Sequence, residues 1–166
     1  MKVIQALGLV VAAFASSVSA APYTFTTLDF PGASSTLAFG INNAGQVVGR
    51  FSDSSGGRHG FINTGGTFTT LDVPGAGFTH AFGINNAGQV VGVFLDSSGG
   101  HGFIDTGGTF TTLDVPGASF TEAVGINNAG QVACQEDSHQ LTAPGRSVSV
   151  RAVGTDADVW NKESQG

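Results

Sequence analysis

Charge is what this sequence has least of. Only 11% of its 166 residues are Asp, Glu, Lys or Arg, less than half the roughly 25% usual in a soluble domain. Hydrophobic residues make up 40%, so charge-driven disorder is excluded for most of the chain. Basic residues are rarer still: 6 Lys plus Arg against 12 Asp plus Glu leave a formal net charge of −6. A surface of that sign repels phosphates and anionic headgroups, which argues against nucleic acid and anionic membranes as partners. The single cysteine, Cys134, excludes a disulfide framework and any Cys-rich metal site. It reads as a small buried hydrophobe. The helix formers Lys, Glu, Leu and Met are scarce.

Glycine, phenylalanine, threonine and valine fill the gap. The 26 glycines follow no Gly-X-Y period, which excludes collagen. The β-branched and aromatic bias predicts an all-β fold. The first 20 residues stand apart from it. Lys2 is followed by an uncharged apolar stretch from Val3 to Ala15, and Val18-Ser19-Ala20 puts small residues at a cleavage site. This is the pattern of a secretory signal peptide cut after Ala20. The alternative, a transmembrane anchor, is disfavoured because the run falls short of the roughly 20 apolar residues a span needs. The expected location is therefore secreted, extracellular or periplasmic.

From Thr24 onward the chain repeats itself. Thr24–Gly66 and Thr67–Gly108 are near copies, and a third copy from Thr109 stops matching after Val132, with periods of 43 and 42 residues. Periods of about 42 suit a four-stranded propeller blade. In the second copy, turn residues separate strands at Thr79–Ile84, Gln89–Leu95, His101–Asp105 and Thr109–Val115. The intervening Asn85-Asn86-Ala87-Gly88 turn is expected to place Asn and Gly at positive φ. Pro116-Gly117 is expected to be the crossover to the next unit. Unit one then spans about Thr36–Val73 and unit two Thr79–Val115. Tyr23–Phe30 is left as an orphan fourth strand that would complete the last blade of a closed ring. A β-meander or solenoid is the alternative architecture; period and strand count favour blades.

The repeated Gly-Ile-Asn-Asn-Ala-Gly-Gln-Val-Val-Gly at 40–49 and 83–92, its partial copy at 125–132, and His-Gly-Phe at 59–61 and 101–103 resemble the bacterial extracellular HAF-repeat family. His-Gly-Phe stands where that family has His-Ala-Phe. The resemblance covers about Tyr23 to Val132. It implies an extracellular repeat protein and no reaction, often with a C-terminal sorting tail that residues 133–166 do not reproduce. Those last residues contain none of the 13 phenylalanines and the only Trp. They read as an atypical polar tail, with one alternating strand around Ser147–Val153. A disrupted reading frame near residue 133 is one explanation; a capping segment is the other.

The candidate chemistry is thin. Asp53-Ser54-Ser55-Gly56-Gly57 and Asp96-Ser97-Ser98-Gly99-Gly100 offer one carboxylate each, too few for calcium, and are expected to be self-bonded turns. His59 and His101 recur without a second ligand beside them, so no metal is expected. Asp29, Asp72 and Asp114 recur in identical Thr-Leu-Asp contexts, whereas an acid–base pair needs differentiated environments; turn capping is expected of them. One slot varies between copies: Leu37, His80 and Glu122 occupy it, and they are the candidate binding residues. The sequence thus predicts no enzyme and no cofactor, but an extracellular structural or binding module. A lectin-like propeller fragment is the alternative, and a propeller-type glycosidase or lyase a more distant one. The partner is unknown from sequence; self-association through open sheet edges and glycan binding are the candidates.

Overall fold

The computed structural model describes residues 23–138 and 147–151. Among them there is no helix. Eleven strands form one mixed sheet that curls into a half-barrel. In chain order they are β1 (Ser35–Ile41), β2 (Val47–Ser52), β3 (Arg58–Thr64), β4 (Thr67–Leu71), β5 (Phe78–Ile84), β6 (Val90–Leu95), β7 (Gly100–Thr106), β8 (Thr109–Leu113), β9 (Ala118–Ile126), β10 (Val132–Ser138) and β11 (Ser147–Arg151). The main path runs β1-β2-β3-β5-β6-β7-β9-β10-β11, with β4 paired to β3 and β8 to β7.

The strands fall into three groups, β1–β4, β5–β8 and β9–β11, within which pairing is antiparallel and follows the sequence period. Gly60 faces Leu71 and Thr64 faces Thr67 across β3–β4; Gly102 faces Leu113 and Thr106 faces Thr109 across β7–β8. The turns explain these tight registers. Gly65 and Gly66 have φ of 58° and 92°, and Gly107 and Gly108 have 62° and 88°. Two successive positive φ values make a type I′ hairpin, whose twist matches that of the strands it joins.

The groups are joined differently. β3 and β5 run parallel and meet only at Arg58 and Phe78; β7 and β9 meet only at Gly100 and Phe120. The chain crosses each junction through Pro-Gly, as expected. The crossover is tighter than the sequence implied: Ala76 N–H donates to the Val73 carbonyl at 3.1 Å, Ala118 N–H to that of Val115 at 3.0 Å, with Gly75 and Gly117 at positive φ. Proline then glycine at the centre is the type II turn pattern. Each Pro-Gly turn, the one before β1 included, is also stitched by a threonine, whose hydroxyl accepts from the backbone N–H six residues earlier: Thr36 from Phe30, Thr79 from Val73, Thr121 from Val115.

The apolar core lies at these junctions. Val48 and Leu71 of the first group pack with Ala81, Ile84, Val90, Phe94 and Phe103 of the second. Val91, Leu113 and Val115 then pack with Ala123, Val132 and Cys134 of the third. Each group thus buries its apolar face against the next.

Three expectations change. Tyr23–Phe30 forms no strand. Its counterparts β4 and β8 pair with the strand that precedes them, and the described chain offers none ahead of Tyr23. Phe30 is anchored by its ring instead, stacked on Phe51 with centroids 3.6 Å apart. Second, the repeat ends at Val132 but the sheet does not: β10 continues to Ser138 and β11 pairs with it, Val132 facing Arg151 and Glu136 facing Ser147. The alternating strand expected near residue 147 is therefore present. Third, among the described residues only glycines have positive φ, so the turn asparagines serve another purpose. The signal segment lies outside the described residues.

Candidate functional site

The asparagines build a ladder. The Asn42 side-chain oxygen accepts from the N–H groups of Ala44 and Gln46 at 3.1 and 3.0 Å, closing its own turn. Its amide nitrogen donates to Gln46 Oε1 at 2.8 Å and to the Asn85 carbonyl, 43 residues on, at 3.0 Å. Asn85 repeats every bond, donating onward to the Asn127 carbonyl at 3.2 Å. Beside it, Asn43 N–H donates to Asn86 Oδ1 and Asn86 N–H to Asn128 Oδ1, each at 3.0 Å. Four bonds satisfy each buried amide, the condition for a polar group to sit inside a junction.

On the outer strands the candidate histidines pair with the candidate aspartates. His59 Nδ1 lies 2.9 Å from Asp72 Oδ2 and its Nε2 3.3 Å from Asp53 Oδ2. His101 Nδ1 lies 2.9 Å from Asp114 Oδ1. In each repeat the ring bridges β3 or β7 to the residue just after β4 or β8. Turn capping was expected of Asp72 and Asp114; the histidine is their partner instead, 13 residues back in both repeats. That shared spacing was the signal available in the sequence. Asp29 has no histidine at that distance and is exposed.

Asp53 and Asp96 hold their turns as expected. Asp53 Oδ1 accepts from Ser55 N–H and Oγ and from Gly57 N–H at 2.7–2.8 Å. The Ser55 hydroxyl, then the Gly57 N–H, lower its pKa to about 2. Burial pulls the pKa of His59 down, but the carboxylates of Asp72 and Asp53 outweigh it and the net shift is upward.

Ser98, His101 and Asp114 outline a nucleophile, base and orienting acid, with Ser98 Oγ 2.9 Å from His101 Nε2. Activation requires the serine proton to point at the imidazole. Here the hydroxyl also meets Asp96 Oδ1 at 2.6 Å, a closer and charged acceptor. A charge-assisted bond of that length holds the proton, so the serine is a turn fastener.

The variable slot falls at matching positions of β1, β5 and β9, where Leu37, His80 and Glu122 face Arg50, Val93 and Gln135 on the next strand. Leu37 is exposed and the other two are half-buried. His80 stacks on Phe78 at 4.6 Å, and its Nε2 is buried without a partner. Burial, reinforced by the charges of Arg50 and Arg58, lowers its pKa to about 4.

A half-open cleft of about 330 Å³ lies elsewhere, between the two full repeats. Thr69, Thr70 and Asp72 line it from the first, and Val90, Asp105 and Phe110 from the second. None of the three slot residues reaches it. Asp105 is only 4% exposed, and its Oδ1 has no hydrogen-bond partner. Burial raises its pKa, against the opposing N–H of Gly108. The sequence reading missed this residue, because Asn63 holds the same place in the first repeat. No group of three or more metal-ligating side chains occurs among the described residues.

In comparisons with known proteins, no family model matches the chain and no curated protein matches it.

Proposed function

We propose that this chain is an exported, non-catalytic repeat protein of the HAF-repeat type, whose units stack as propeller-type blades and serve a structural or binding role. The observation that carries this reading is the repeated internal use of its reactive groups. The Ser, His and Asp side chains that would serve in catalysis are bonded to one another, and the Asp–His pair forms in the same way in both repeats. Identical environments stabilise a fold; catalysis needs residues whose environments differ. The one-residue parallel pairings and the stacked asparagine turns support reading the one sheet as a series of stacked units. Expressed with its own N-terminus in a bacterium, the protein should leave the cytoplasm and begin at Ala21, by N-terminal sequencing. An intact N-terminus on a cytoplasmic product overturns export. A hydrolytic activity abolished by His101→Ala or Glu122→Gln overturns the non-catalytic reading.

The cleft at Asp105 favours a lectin-like version of the binding role. It combines the Asp105 carboxyl group, two threonines and the Phe110 ring, a lining suited to a sugar's hydroxyls and C–H face. A glycan array should then show binding that Asp105→Ala removes. Silence from folded protein, or binding untouched by that substitution, excludes the cleft as the seat.

A further inference from the structure

The junctions between repeats follow one rule, and both ends of the described chain break off in the middle of it. Ala81 and Ala123 are fully buried because the preceding group covers them, while the equivalent Ala38 is exposed. Ile84 is 7% exposed, and the equivalent Ile41 is 68% exposed. The first group therefore presents an apolar face that its two successors bury. At the other end the donors stand open. Asn42 and Asn85 are buried under the next turn, whereas Asn127 is exposed and its amide reaches only Gln131. Glycine packing breaks off in the same direction. A Cβ on Gly40 would strike the Phe82 carbonyl oxygen at 2.7 Å, and one on Gly83 would meet Gly125 Cα at 3.2 Å; one on Gly125 would meet nothing within 4 Å.

The two ends are complementary. The third group offers the Asn127 amide, the Asn128 N–H and the space beside Gly125. The first offers the Asn42 carbonyl, Asn43 Oδ1 and the Ala38–Ile41 face, which are the groups that Asn85, Asn86, Ala81 and Ile84 present inside the chain. We propose that a second copy of this chain docks head to tail, its first group seated on the third group of its neighbour in the geometry of the internal junctions. This rests on the stacked-unit reading above and replaces edge-to-edge pairing with face stacking. Such a contact is heterologous, so it closes into a ring or grows into a fibre. Three groups per chain make two copies a six-unit ring, within the roughly 4–8 units that propellers use; three copies would exceed it. A closed dimer is expected.

The test is sedimentation velocity on the purified full chain. The wild type should be a dimer at micromolar concentration. Gly125→Leu fills the space kept for the neighbour's backbone, its Cβ meeting nothing of its own chain within 4 Å, and Asn128→Pro removes one donor at a turn position that suits proline. Each should give a monomer with an unchanged circular dichroism spectrum, as should Ile41→Glu on the opposite face. Mixing Gly125→Leu with Ile41→Glu should restore a weaker dimer, because one intact junction remains. A folded wild-type monomer, association that survives both Gly125→Leu and Asn128→Pro, or no recovery on mixing overturns the docking. Any of these leaves the export and turnover tests unaffected, so the two readings fail separately.

Discussion

The second and third repeats share their first strand and turn almost letter for letter, and part company where a phenylalanine should return. In the second, Gly92 lies between the His80 carbonyl and the Phe103 ring: a Cβ there would strike that backbone oxygen first and would also sit 2.8 Å from the ring. In the third, Cys134 takes the place of Gly92, facing Ala123 as Gly92 faces Ala81. No phenylalanine follows it, and β11 occupies the next position in the sheet. The ladder shifts register at this point in all three repeats, and the thiol is 1% exposed inside the junction core. Glycine and phenylalanine therefore act as one device: the bare backbone makes room for the ring. Where the ring is lost, a larger residue at the glycine position fills the space.

Breaking that device should give the largest effect. Phe103 is fully buried at the centre of its core. Phe103→Ala should cost about 3–5 kcal/mol, the usual range for a core aromatic, read as a lower urea midpoint at constant slope. Imposing the third repeat's choice on the second, Gly92→Cys, forces the overlap and should cost about 1–3 kcal/mol. In Phe103→Ala the same Gly92→Cys change should cost less by the ring's share alone, because the overlap with the His80 carbonyl remains. Equal costs in both backgrounds would show that the two positions are independent.

A smaller contrast sharpens the point with identical residues. Asn85 makes its bonds at 3% exposure, while Asn127 makes the same local bonds in solvent. Asn85→Ala leaves the part-buried Ala87 and Gln89 N–H groups without their acceptor and takes a donor from the Asn127 carbonyl, and should cost about 1–3 kcal/mol. Asn127→Ala exposes its N–H groups to water and should cost under about 1 kcal/mol at concentrations where the chain is monomeric. Amide exchange at Gln89 and Gln131 gives the same comparison locally.

Much of the fold was legible because period and turn chemistry act locally. The Gly-Gly hairpins, the Asp-Ser-Ser turns and the strand following His101 need only neighbouring residues to form. What stayed hidden depends on partners 13 or about 42 residues away. The asparagines read as turn formers, yet their amides reach the next repeat. The Thr-Leu-Asp aspartates read as caps, yet each faces a histidine on the adjacent strand. Tyr23–Phe30 has the letters of β4 and β8, but lacks the preceding strand against which those letters pair. Asp105 was unreadable for a related reason: only the packing of two repeats makes the cleft that isolates its oxygen. Of the candidate site, the sequence marked the slot at Leu37, His80 and Glu122 by its variability. It gave no hint that His80 would stack on Phe78 with a ring nitrogen unpartnered.

The smallest expected effects come from the two histidines of the first junction, and they have opposite signs. The folded-state pKa of His59 is raised above its ordinary value of 6.5. Its contribution is therefore complete below about pH 6.5 and is lost as pH rises through the folded value. The folded-state pKa of His80 is lowered to about 4. Its contribution is present above about pH 6.5 and is lost as pH falls toward 4, because the unfolded chain takes up the proton first. Urea midpoints measured from pH 4 to 8 should therefore show two separable limbs. His59→Gln should flatten the alkaline limb and leave the acid one. His80→Leu, which installs the first repeat's own residue, should do the reverse. The Asp53 carboxylate, lowered from 3.8 to about 2, adds to the acid limb only at its lowest end, near pH 4. If His80→Leu left the acid limb intact, burial beside Arg50 and Arg58 would not be keeping that ring neutral, and the loss would have to come from carboxylates elsewhere in the sheet.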